Sequence, residues 1–175
     1  MKVAKAAMPA SFGLFVVTVL TAVLFAYPAT ANPATVVATI NGGGTAIMDP
    51  ESFAQGTTAF SIHATLYEGD TPNGGPAKGH IDCVDQQGSS TIPGNIFGEV
   101  TSWVRNPDGT ITLNVVGKFV SQPGGHPVPQ DFSVTIQRFG GAGVGHWTLS
   151  VPTPVGPFTF CIETLSSGQI VMRRI

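Results

Sequence analysis

Thr57-Thr58-Ala59-Phe60-Ser61-Ile62-His63-Ala64-Thr65-Leu66-Tyr67 changes character at every step. Thr58, Phe60, Ile62, Ala64 and Leu66 fall on one side of an extended chain, and Ala59, Ser61, His63, Thr65 and Tyr67 on the other. A period of two with one apolar side is the pattern of a half-buried antiparallel strand. The same alternation returns downstream. Ile111, Leu113, Val115, Gly117 and Phe119 share a face, as do Phe132, Val134 and Ile136, and again Trp147, Leu149 and Val151. No apolar segment keeps a 3.6-residue period for three turns, and the only candidate for a helical turn is Pro50–Gln55.

The punctuation between these runs agrees. The chain of 175 residues carries 22 glycines and 14 prolines, which favours many turns over long helices. Asn106-Pro107-Asp108-Gly109 separates two alternating runs and predicts a hairpin, since Pro presets φ and Gly accepts the left-handed region. Gly42-Gly43-Gly44 is expected to divide Thr35–Ile40 from Thr45–Met48. Gly140–Gly143 and Ser166-Ser167-Gly168 are read as further sharp connections, with longer loops at Glu68–Gly75 and Ser121–Pro129. Nine or ten short strands at this spacing predict one all-β domain, an antiparallel β-barrel or β-sandwich.

Residues 1–31 are expected to precede that domain as a cleaved signal peptide. Lys2 and Lys5 give a positive start, Phe12–Ala26 is apolar without a charge, and Ala29-Thr30-Ala31 offers the small residues of a cleavage site. Cleavage would leave residues 32–175 as a single secreted or cell-envelope domain, with no stable membrane insertion. Loss of Lys2 and Lys5 takes the formal charge from −2 to −4. A net negative chain whose one basic cluster is Arg173-Arg174 is a poor match for nucleic acid, which needs clustered cations.

Secretion and two cysteines predict one disulfide, Cys83–Cys161. The facing of the two segments then conflicts. Ile81 and Cys83 share a face, whereas Cys161 alternates with Phe158, Phe160 and Ile162 and points with Thr159 and Glu163. Bringing both cysteines to one side therefore drags a polar group inward, either Glu163 or Asp82. His80, Asp82 and Glu163 are the candidate polar site, because His80-x-Asp82 is a spacing that can orient an imidazole base.

No nucleophile elbow, zinc helix or phosphate loop is present, so no cofactor or metal is expected. His63, His80, His126 and His146 lie on separate segments, and the carboxylates Asp49, Glu51, Asp70, Asp82 and Asp85 fit no calcium-loop spacing. Trp147 falls on an apolar face and is assigned to the core. Trp103 alternates with Phe97, Glu99 and Thr101 and is the candidate exposed aromatic.

Gly42–Gly44, Gly79-His80-Ile81-Asp82, Phe132-Ser133-Val134-Thr135-Ile136 and Gly168-Gln169-Ile170 together give the span from Ile40 to Ile170 a likeness. It resembles the β-rich secreted bacterial modules called post-COAP domains. The resemblance implies an accessory domain without known catalysis. The leading expectation is thus a secreted accessory domain of structural, adhesive or binding type, with a protein, a carbohydrate or a small apolar ligand as partner. The alternatives are a barrel holding a small apolar molecule in its lumen, and a lyase, cyclase or hydrolase using His80, Asp82 and Glu163.

Overall fold

The computed structural model describes residues 34–86 and 92–175. The expected signal segment and its cleavage site lie outside those residues. Eleven strands follow one another: β1 (Val36–Met48), β2 (Thr57–Tyr67), β3 (Gly74–Asp85), β4 (Gly94–Arg105), β5 (Ile111–Ser121) and β6 (Pro127–Pro129). Then come β7 (Phe132–Arg138), β8 (Gly140–Gly141), β9 (His146–Thr153), β10 (Gly156–Leu165) and β11 (Gln169–Arg174). There is no helix among the described residues, and Pro50–Gln55 is a loop of turns and bends.

Eight of these strands close on themselves in the order β1-β2-β3-β4-β5-β7-β9-β10, every pair antiparallel, with β10 returning to β1. The fold is therefore a barrel and not a sandwich. Closure leaves no free edge between first and last strand, which is how such sheets escape edge-to-edge association. The short β6 pairs with β5, and β8 with β11.

Side chains from alternate positions fill the interior. Phe60, Ile62, Ala64 and Leu66 of β2, Ile111, Leu113 and Val115 of β5, and Phe132, Val134 and Ile136 of β7 are all buried. Trp147 and Leu149 of β9 are buried with them, and Trp147 packs 5.9 Å from Phe60, ring centre to ring centre. The outer wall carries Asn41, His63, Lys78, His80, Glu99 and Lys118. Ile47, Val104 and Val116 are exposed on the same wall.

Two glycine-rich expectations are corrected. Gly42–Gly44 is no turn but the middle of the continuous β1, paired residue for residue with β2 from Ala38 to Ile47. Ser166–Gly168 is no hairpin either. β10 and β11 both run antiparallel to β1 and continue one another, with Met48–Ala46 facing Glu163–Leu165 and Gly43–Ala38 facing Gln169–Arg174. The intervening residues are a kink in one long closing strand. Glycine is needed there because the backbones touch: a Cβ on Gly44 would lie 2.2 Å from the Ser167 carbonyl oxygen. By contrast Asn106–Gly109 is the hairpin expected, closed by Asn106 N–H to the Thr110 carbonyl at 2.9 Å, with Gly109 at φ +87°.

Candidate functional site

Three places gather polar or concave features: the interior near one end, a cup at the other end, and a patch on the outer wall.

The interior cluster resolves the conflict in strand facing. Glu163 is fully buried, and so are Cys83, Cys161 and Thr58. Cys161, Glu163 and Leu165 point inward in simple alternation with the half-buried Phe160, Ile162 and Thr164, and the strand's register shift falls before them, between Thr159 and Cys161. The face that looked polar in the sequence is the core face. Thr58 donates to Glu163 Oε2 at 2.6 Å, while the Cys161 and Cys83 thiols point at Oε1 from 3.2 and 3.8 Å. Burial pushes the Glu163 carboxyl up to about 7, resisted by the hydrogen bonds from Thr58 and the thiols.

The expected disulfide is corrected: Cys83 and Cys161 are free thiols. Their strands are not neighbours, because β3 reaches β10 only through β2 and β1. The two sulfurs meet across the interior only through Glu163, both addressing Oε1 and not each other. Burial, with the nearby Glu163 carboxylate, raises both thiols well above the usual range, so the reactive thiolate is scarce. In native buffer a disulfide reagent such as DTNB should find no accessible thiol, and denaturant should expose two per chain. A count of zero in denaturant would show that the pair is oxidised and refute this arrangement.

The three residues proposed as a polar site do not converge. His80 is exposed and Asp82 half-buried on the outer side of β3, whereas Glu163 is inside the barrel. Catalysis by that trio has no geometry to support it. The cavity beside the thiols measures about 10 Å³, room for one water at most. That part of the interior has no room for an apolar ligand.

The cup lies at the opposite end, where β1 begins. Its volume is about 570 Å³. Leu66, Trp103, Ile111 and Met172 form an apolar floor, and Glu68, Asp70, Arg105 and Arg174 stand around the rim. Trp103 is here and not on the surface: it is 7% exposed, with Nε1 donating to the Tyr67 carbonyl at 2.8 Å. A bulge between Val100 and Ser102 slips the alternation by one residue, which turns Trp103 inward and sends Val104 out. No sequence signal marked that bulge. The one ion pair among the described residues is His146–Asp49 at 3.1 Å, so both cup arginines are available to a ligand.

On the outer wall, His80 and Asp82 border a shallow depression of about 480 Å³ with Phe97, Glu99, Val116 and Lys118. Strand register also sets His63 directly beside His80 there. That neighbour was invisible in the sequence, because the pairing of β2 with β3 is what creates it. No family model, curated protein or solved structure matches the chain.

Proposed function

We propose that this chain is a secreted, non-catalytic β-barrel binding module that takes a small amphipathic ligand in the cup at one end. The observation that carries the reading is the cup itself, an apolar floor under two arginines that make no ion pair among the described residues. Its size falls within the range of small-molecule sites, and a few charged groups over an apolar surface is the usual composition of such sites. The ligand's apolar body would lie on Trp103 and Met172, and an acidic group would meet Arg105 and Arg174. The resemblance to secreted accessory modules agrees with a role in binding.

The anionic naphthalene dye 8-anilinonaphthalene-1-sulfonate has both halves of this chemistry. It should bind the folded protein with a fluorescence increase, and the double variant Arg105→Ala, Arg174→Ala should weaken it about tenfold, the worth of one charge-assisted hydrogen bond. A dye that binds the double variant equally well, or ignores the folded protein, would sink the reading.

A further inference from the structure

His63 and His80 face each other across β2 and β3, both on the outer wall and both exposed. Their ring centres are 5.9 Å apart, inclined by 37°. The row continues on either side: Asn41 of β1 is the cross-strand partner of His63, and Glu99 of β4 is that of His80. Asn41 Oδ1 lies 2.6 Å from His63 Nδ1. A carbonyl oxygen can only accept, so that bond places the proton on Nδ1 and leaves the Nε2 lone pair free. Fixing the tautomer from behind in this way is what an outer partner does for a metal-binding imidazole.

We infer that His63 and His80 form a two-imidazole chelate for a divalent transition-metal ion, Cu²⁺ ahead of Ni²⁺ and Zn²⁺. Two imidazoles on one ion, each nitrogen about 2.0–2.1 Å from it, bring their ring centres to about 5–6 Å. The observed separation lies in that range, and the exposed side chains are free to make the small rotation that aligns both nitrogens. Nitrogen ligands of this kind select copper, nickel and zinc over calcium or magnesium, and the intrinsic order of affinities puts copper first.

No three His, Cys, Asp or Glu side chains among the described residues already converge on one point, so the two imidazoles are the chelate. Water fills the remaining positions, or Glu99 does after a change of rotamer. Two carboxylates stand beside the pair: Glu99 and Asp82 flank His80, and Asp82 is held by the Ser61 hydroxyl at 3.2 Å. Of the positive groups on this wall, Lys118 is drawn over the Phe97 ring at 5.8 Å, and Lys78 stands two residues before His80 on β3. The site is independent of the cup, which lies at the end of the barrel where β1 begins.

The test is a calorimetric titration of untagged protein with Cu²⁺ and Zn²⁺, with the copper form examined by electron paramagnetic resonance. One copper per chain with splitting from two nitrogens is expected. His63→Ala and His80→Ala should each weaken binding at least about tenfold, and Asn41→Leu should do so by about tenfold through the lost tautomer control. His126→Ala, an exposed loop histidine, should change nothing. All four positions are exposed, so an unchanged thermal midpoint checks that the barrel is intact. Binding that survives in either His63→Ala or His80→Ala, or no binding at millimolar metal, overturns the proposal.

Discussion

Between pH 4 and pH 8 the folded barrel is expected to lose about 3 kcal/mol of stability through Glu163 alone. In the unfolded chain this carboxyl titrates near its ordinary value of 4.5, whereas in the barrel burial raises it to about 7. Below 4.5 both states hold the proton and nothing is lost. From 4.5 to 7 the unfolded chain has released it and the folded chain has not. The unfolded state then binds fewer protons, and stability falls as pH rises. Above 7 the folded carboxyl ionises too and the loss levels off. Glu163→Gln keeps the shape and removes the titration. Urea unfolding of both proteins across this range should give a wild-type stability that falls relative to the variant by about 3 kcal/mol. Parallel curves would show that Glu163 is not titrating in the barrel as described.

Gly168→Ala should be severely damaging, costing at least about 3 kcal/mol or preventing folding altogether. Gly168 adopts φ +75°, and a Cβ there would stand 1.9 Å from the Gly43 carbonyl oxygen. That atom is backbone of β1, paired on both sides, and cannot retreat without opening the seam. Gly109→Ala is the matched control. Gly109 has φ +87° but nothing within 4 Å of the added carbon, so only the dihedral cost of about 1 kcal/mol applies. Chemical denaturation of the two variants separates dihedral strain from collision, and equal losses would disprove the close approach at the seam.

The alternating runs were legible because burial on one side of a strand leaves a period-two signature that needs no tertiary information. Thr57–Tyr67, Phe132–Ile136 and Trp147–Leu149 face the way their side chains dictate. What escaped was phase. A bulge adds one residue and flips everything after it, which is why Trp103 turned out inverted. The glycines at the seam misled for a related reason: the residue that permits a turn also permits two backbones to touch. The polar group forced inward with the cysteines was foreseeable from strand facing, and Glu163 is that group. The His63–His80 pair was not, because adjacency across strands depends on register.

The long closing strand formed by β10 and β11 also bears on how the molecule assembles. Every other strand of the barrel pairs with one close to it along the chain, through hairpins and short loops. The seam alone joins opposite ends of the domain, Ala38 with Arg174 and Met48 with Glu163. Loop-closure entropy is greatest for that contact, so it is the slow, late event of a high-contact-order fold. Until it forms, β1 and β10 present unpaired edges open to another copy of the chain. Refolding yield should therefore fall with protein concentration, and a partner strand borrowed from a second molecule would be the characteristic error.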